Sequence, residues 1–373
     1  MNLNKNMIMS VTKLFLLFSS ILSLVLTTDK VNKKCRVLAL EGGGDKGSYQ
    51  AGAINGLVKN LPPEEVQWDV VTGVSVGAIN AVAIGLHEKG KENEASEILL
   101  SQWRNLTASN IYQNWNWGPI EGLFYKSGLF DTSVGIKYFI NQLSPYGNLK
   151  RDFIFGATNV QTGNFDTYTN VDINNTTDIA VALLSSAAFP VMFPFGRFKN
   201  NYYMDGGVKY NLDIPSGVQN CEDKGFSHED IIVDIVLCSN ATLQIDNPET
   251  LSPIGSYNRY SEISTFDKSM GIIEDVNFYM KNVTLRYLVA PTRILPSSII
   301  PLNFNPAQIE VMILYGQEDA KSIIEQGEGV HASNVIKQRL NEKSARFSSR
   351  TFKAVKADKE VKADKKGNLK FLK

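Results

Sequence analysis

Val70-Val71-Thr72-Gly73-Val74-Ser75-Val76-Gly77-Ala78-Ile79-Asn80 is the stretch on which the reading of this chain turns. A β-branched run enters it, a Gly-x-Ser-x-Gly sits in the middle, and small residues at helical spacing leave it. That order predicts a strand, a sharp corner and a helix, with the Ser75 hydroxyl at the apex. A serine on such a corner has strained backbone angles, and a side chain at Gly73 or Gly77 would collide with neighbouring backbone. The corner also sets Ser75 at the amino end of a helix, where free amides and the helix dipole favour negative charge. These are the conditions for a nucleophilic serine.

A serine hydroxyl is weakly nucleophilic near neutral pH and needs donors for the developing oxyanion and a base for its proton. The donors are expected upstream. Arg36-Val37-Leu38-Ala39-Leu40 predicts a strand, and Ser48 to Lys59 predicts a helix with Ala51, Ile54, Leu57 and Val58 at spacings of three and four. Between them, the glycines of Glu41-Gly42-Gly43-Gly44-Asp45-Lys46-Gly47 let several amides point into one concavity. Gly42, Gly43, Gly44, Lys46 and Gly47 are therefore the candidate oxyanion hole. The same stretch satisfies the dinucleotide-binding pattern Gly-x-Gly-x-x-Gly at Gly42, Gly44 and Gly47. Its acidic partner should end the second strand, yet that strand ends in Gly-Val-Ser-Val-Gly, and Glu64 and Glu65 precede it. A phosphate-binding P-loop fails too, because Ser48 and Tyr49 follow Gly47 where Lys and Ser/Thr would be needed.

The base separates two hydrolase classes. A triad in the order serine, acid, histidine would draw on His228 or His331 after Asp205. Ser75 falls on the second predicted strand, however, earlier than the nucleophile of an α/β-hydrolase. His228, in Ser227-His228-Glu229-Asp230, reads as an exposed helix start, and no apolar strand leads into His331. His87 is expected on the outward face of the helix that follows Ser75. Asp205 is the better base. Tyr202-Tyr203-Met204 leads into it and Gly206-Gly207 follows, a strand-to-turn position that presents the carboxylate without competing side chains. An exposed aspartate with a pKa of ~4 would be feeble, so burial beside Ser75 is required.

Taken in order, Glu41 to Gly47, Gly73 to Gly77 and Asp205-Gly206-Gly207 resemble the patatin-like phospholipase family. Gly128-Leu129-Phe130-Asp131-Thr132 and Ser185-Ser186-Ala187-Ala188-Phe189-Pro190-Val191-Met192-Phe193-Pro194 are similar to its linking segments. The likeness is best over residues 35–237, within a catalytic domain expected at 35–335. It implies a three-layer α/β/α fold with a central, mostly parallel sheet. It also implies a Ser75–Asp205 dyad without histidine, an oxyanion cradle around Gly43 and Gly44, and no calcium or cofactor. The implied reaction is hydrolysis of lipid or phospholipid acyl esters through an acyl-enzyme. Lys46 stands where the family commonly has arginine, keeping the charge without the bidentate fork. Glu41 in place of a common aspartate is read as minor. The alternatives are a storage or lipid-binding protein of the same fold with little activity, and a Ser-His-Asp esterase.

The 373 residues, 43% of them hydrophobic, suffice for one large domain or two small ones. With 38 Lys and Arg against 38 Asp and Glu, the balance argues against a nucleic-acid partner. Neither Cys-x-x-Cys nor His-Glu-x-x-His occurs, so no metal is expected. Lys13 precedes an uncharged run from Leu14 to Leu26, short of the ~20 residues of a membrane span. It suits a signal peptide over residues 1–28, with an uncleaved anchor as the alternative. Secretory targeting agrees with sequons at Asn105, Asn174, Asn175, Asn240 and Asn282. There, Cys35, Cys221 and Cys238 allow one bridge and one free thiol, with the pairing open.

Ile231 to Leu237 predicts a buried strand broken only by Asp234, Ile272 to Leu288 a helix, and Ile309 to Leu314 a late strand. Trp115, Trp117, Phe124 and Tyr125 read as core packing, with an acyl pocket or a transient membrane-surface contact as functional alternatives. Residues 345–373 carry Val355-Lys356-Ala357-Asp358-Lys359 and its near repeat from Val361 to Lys365, and read as a charged, solvated tail.

Overall fold

Leu38 and Leu40 of the first strand are buried in one hydrophobic cluster, and Cys35, Val37 and Ala39 in another. A strand apolar on both faces belongs in a sheet covered twice. The computed structural model has that form over the residues it describes, 33–345 apart from 174, 244–246, 248, 250, 297–301 and 303. The expected leader, and all but the first residue of the expected tail, lie outside the described residues.

The strands are β1 (Cys35–Leu40), β2 (Val70–Val74), β3 (Asp152–Asn159), β4 (Phe165–Thr169), β5 (Gly196–Phe198), β6 (Asn201–Asp205), β7 (Ile231–Val236) and β8 (Thr284–Val289). They form one sheet in the order β5-β6-β3-β2-β1-β7-β8, with β4 also paired to β3. From β3 to β8 the neighbours run parallel, whereas β4, β5 and β6 join antiparallel. The longer helices are α1 (Gly47–Asn60), α2 (Val76–Gly85), α3 (Glu92–Asn105), α4 (Ser133–Leu143), α5 (Thr176–Ser186), α6 (Pro215–Asp223), α7 (Pro253–Tyr279) and α8 (Pro306–Gln326). The first five and α8 bury Ile54, Ala78, Leu99, Phe139, Leu183 and Met312 on the Leu38 side of the sheet. On the Val37 side lie Val218 of α6, Met270 of α7 and Val335 of the helical segment 330–345. This is the expected α/β architecture, a mostly parallel sheet between helical layers.

Two readings of the C-terminal half are corrected. Residues 309–314 are not a strand but the start of α8, because Ile309, Met312, Ile313, Gly316, Ala320 and Ile323 are buried at helical spacing. The helix opens on Asn305, whose side chain accepts from the Ala307 and Gln308 amides, and Pro306 fills its first position. Residues 272–288 are not one helix either. α7 ends at Tyr279, Asn282 turns with a φ of 74°, and β8 follows. Arg286 in β8 pairs with Asp234 of β7 at 2.9 and 2.6 Å, which also explains the one charge in that apolar run.

Strand register assembles the rest. Val74 pairs with Gly156, and the next residue of β3, Ala157, pairs with Asp205. Ser75, following Val74, is thereby brought beside an aspartate from a distant part of the chain. Leu40 pairs with both Gly73 and Val236, so the glycine stretch and the segment after β7 reach the same edge. The carboxyl ends of parallel strands are where α/β sheets place their sites. A Cys35–Cys221 disulfide ties β1 to α6, and Cys238 is a buried free thiol.

Candidate active site

Ser75 adopts φ 55° and ψ −125°, which costs an L-residue on the order of 1–3 kcal/mol and must be held by its surroundings. A Cβ on Gly73 would overlap the Gly77 carbonyl, and one on Gly77 would lie 2.7 Å from the Glu41 carbonyl oxygen. Both glycines are therefore required by close backbone approach. The Ser75 amide donates to Ser186 Oγ (2.9 Å), and that hydroxyl donates to the Gly156 carbonyl (2.6 Å). Ser186 ends α5, so this helix pins the corner to β3.

Asp205 is 5% exposed. Its Oδ1 accepts from the Gly207 amide at 2.7 Å, and the Ser75 side chain is near enough to favour the charged carboxylate. Burial raises its pKa to about 6, with Ser75, the Gly207 hydrogen bond and the Lys268 charge opposing the rise. The burial that the sequence required is present. Lys268, on α7, donates to the Gly207 and Val208 carbonyls at 2.9 and 2.6 Å. Its own pKa is lowered by burial and raised again by Asp205. A cation thus clamps the turn that carries the acid, and nothing near Asp205 in the sequence announces it.

The histidines stand apart. His87 is not outward-facing as expected but buried, with Nδ1 2.8 Å from the Ala83 carbonyl and its ring against Tyr146. His228 contacts Glu222 at 2.7 Å, and His331 Nδ1 donates to the Leu288 carbonyl at 2.6 Å. None of the three lines the cavity that contains Ser75.

The five residues of the expected oxyanion hole divide into three groups. The Gly42 amide is spent on the Asn211 carbonyl (3.0 Å), and a Cβ there would sit 3.1 Å from Ser75 Cβ. The Gly47 amide turns to the Gly44 and Asp45 carbonyls, and a Cβ would strike Val76 and Trp103. The Lys46 amide bonds the Gly43 carbonyl at 3.3 Å, leaving its side chain to line the cavity. Gly42 and Gly47 thus serve close packing. The Gly43 and Gly44 amides have no hydrogen bond among the described residues, and Gly44 has a φ of 61°. They are the open donors of the loop.

A sequence profile of the patatin-like phospholipase family matches residues 38–217. Those residues belong to that family. Curated relatives include a probable lipid hydrolase, 463L, of Invertebrate iridescent virus 6, 25% identical over 54% of this chain and 70% of its own length. A cGAMP-activated phospholipase of Escherichia coli is 24% identical over 54% of this chain and 61% of its own, so this chain spans less than two thirds of that relative. VipD of Legionella pneumophila aligns with 79% of this chain and 67% of its own at 11% identity and a TM-score of 0.38. At that score the likeness adds nothing to the sheet order. Family and relatives together support a hydrolase acting on lipid acyl esters.

Two residues outside the candidate catalytic and oxyanion set, Glu41 and Asn211, hold the patatin-like site together. Glu41, read as a minor departure, is fully buried and accepts from the Cys238 amide (2.6 Å), the Ser239 amide (2.9 Å) and hydroxyl (2.9 Å), Ser269 Oγ (2.5 Å) and Asn211 Nδ2 (3.2 Å). Burial raises its pKa, against the pull of the serine and backbone donors. Asn211 reaches from the turn after Asp205 and also donates to the Gly42 carbonyl at 3.1 Å, joining the glycine loop to the acid's turn. A lone Asn four residues past Gly207 carries no motif.

Ser75, Asp205, Gly43, Gly44 and Lys46 line one cavity of about 910 Å³ with apolar walls that include Leu99, Trp103, Phe139, Leu143, Leu184 and Phe304. Polar side chains including Gln142, Arg259, Glu262 and Lys268 also line it, so a volume of this size suits a large ligand with both an apolar and a polar part. Among the described residues no cluster of three or more His, Cys, Asp or Glu is placed to hold a metal. Trp117, Phe124 and Tyr125 are neither core nor cavity lining: all three are exposed. Trp115 is half-buried, its indole N–H donating to the Gly128 carbonyl at 3.1 Å.

Proposed function

We propose that this chain is a serine lipid acyl hydrolase of the phospholipase A type, working through Ser75 and Asp205. Ser75 Oγ attacks the ester carbonyl while its proton passes to Asp205. The oxyanion forms against the Gly43 and Gly44 amides. On collapse, Asp205 returns the proton to the departing alkoxide, leaving an acyl ester on Ser75. Water then attacks, again with Asp205 taking the proton, and on collapse Asp205 returns it to Ser75 Oγ as the fatty acid leaves. The carrying observation is that a buried aspartate and a serine on a strained corner line one cavity with large apolar walls, where burial pushes the aspartate up to about 6. Such a pKa suits a base near neutral pH, which an exposed aspartate would not. We propose secretory targeting as well, which the apolar run from Leu14 to Leu26 and the Cys35–Cys221 bridge support.

A fluorescent fluorophosphonate, with the labelled peptide mapped by mass spectrometry, tests the reading. Labelling at Ser75 that is lost in Asp205→Asn supports the dyad. Labelling that survives Asp205→Asn but vanishes in His228→Ala or His331→Ala would restore a triad. A folded protein that does not label would point instead to storage or lipid binding.

A further inference from the structure

The short helix Pro119–Tyr125 is built inside out. Its one buried residue is Gly122, where a Cβ would lie 2.5 Å from the Leu129 carbonyl oxygen. The glycine face is pressed on the protein, and the large side chains point away. Ile120 is 66% exposed, Leu123 63%, Phe124 71% and Tyr125 73%, with Trp117 at 76% just before the helix. An ordinary surface helix buries its apolar stripe and exposes its polar one, so this arrangement loses stability unless something covers it.

The exposed face is continuous with the mouth of the cavity. The Leu129 and Phe130 amides donate to the Val191 and Met192 carbonyls at 2.9 and 3.0 Å, which seats the helix beside Val191, itself 59% exposed. Phe189 and Pro190, the preceding residues, line the cavity. Across the mouth, the Tyr257 ring of α7 lies 6.5 Å from Phe189, and Tyr257 and Tyr260 are both exposed and both line the cavity. Lys126 stands 4.9 Å over the Trp115 ring at the edge of the patch. Tryptophan and tyrosine flanked by lysine is the composition that settles at the boundary between headgroups and acyl chains.

We infer that this face docks on the surface of a lipid bilayer, with Pro119–Tyr125 inserted among the headgroups and the cavity mouth facing the membrane. The choice of a bilayer over a protein partner rests on the lipid-hydrolase reading, because the face opens onto the cavity that would take the lipid. No helix among the described residues is long and apolar enough to cross a membrane, so the contact is peripheral. Each inserted side chain strengthens partitioning by its own buried area, and the sparsely charged patch makes binding persist at high salt.

The test uses the full chain carrying Ser75→Ala, so that vesicles stay intact whether or not the protein hydrolyses them. The native cysteines do not interfere, since Cys35 and Cys221 are bridged and Cys238 is buried. A polarity-sensitive nitrobenzoxadiazole dye is placed on Tyr125→Cys, or, as control, on Tyr279→Cys. Tyr279 is 74% exposed and ends α7, roughly 30 Å along the helix from Tyr257. With phosphatidylcholine vesicles, the dye at 125 is expected to shift to the blue and be quenched by nitroxide lipids, while the dye at 279 stays in water. Adding Ile120→Ser and Phe124→Ser should lower the partition coefficient of this chain by about tenfold or more.

Equal responses at 125 and 279, or none, would overturn the proposal. So would a shift at 125 that needs no vesicles and rises with protein concentration, which would assign the face to a second copy. With Ser75 intact, Ile120→Ser/Phe124→Ser should slow hydrolysis of vesicle phospholipid by a similar factor and leave a soluble short-chain ester unaffected. If neither substrate is hydrolysed, the functional reading fails, and the dye positions still decide the docking.

Discussion

Replacing Asp205 by Asn should abolish hydrolysis and stabilise the fold at once. The carboxyl is held at about 6 against an ordinary 3.8, mainly by burial. The folded state therefore binds this proton more tightly than the unfolded chain does. Stability attributable to Asp205 is complete below pH 3.8, declines as pH rises, and is lost by the time the pH has passed about 6. Above that, holding the charge costs about 3 kcal/mol, taken from the difference between 3.8 and 6 at 1.36 kcal/mol per pH unit. Asparagine carries no charge, and its Oδ1 can still accept from the Gly207 amide. Urea unfolding of wild type and Asp205→Asn at pH 4 and pH 8 gives the answer as a difference of differences, so other carboxylates cancel. Asp205→Asn should be close to wild type at pH 4 and up to about 3 kcal/mol more stable at pH 8. A variant less stable than wild type at pH 8, or a difference indifferent to pH, would refute the view that Asp205 is a base kept at the expense of stability.

Lys268→Met removes the cation whose charge opposes the rise in the Asp205 pKa, so the acid limb of the pH–rate profile should move upward, and Lys268→Arg should restore it. A uniform loss at every pH would mean that Lys268 only braces the turn. Gly77→Ala drives a methyl into the Leu40 and Glu41 carbonyls, and should cost at least ~2 kcal/mol in chemical denaturation and eliminate fluorophosphonate labelling of Ser75. Glu41→Ala leaves the Cys238 and Ser239 amides and the Ser269 hydroxyl without their acceptor. It should destabilise by roughly 3 kcal/mol or more, and a near-neutral result in urea would show that water replaces the carboxylate.

The parts of the site visible in the sequence are those governed by backbone sterics over a few residues. Gly73 and Gly77 are needed because the chain folds back on itself around Ser75, and the Gly206-Gly207 turn presents Asp205 whatever surrounds it. Consecutive apolar residues in β1 require cover on both faces wherever the strand sits. Such requirements are written into short stretches, and the Ser75 corner, the strand-to-turn position of Asp205 and the sheet class follow from them. Short apolar runs are weaker guides. Residues 309–314 fit a strand until the buried positions from Gly316 to Ile323 extend the helical period, and residues 272–288 hide the turn at Asn282.

What depended on distant residues could not be read in advance. Burial of Asp205, and hence its raised pKa, arises from the register of β6 on β3 and from the packing of α7 over its turn. Which glycine amides stay open is set by Asn211, whose carbonyl takes the Gly42 amide. Glu41 becomes a hub only when Cys238, Ser239 and Ser269 converge on it. The disulfide goes to Cys35 and Cys221 because β1 and α6 meet, and Pro119–Tyr125 is inverted because Gly122 lands on Leu129. Local sterics act within the chain's own reach, whereas dielectric, pairing and exposure belong to whichever groups the fold brings together.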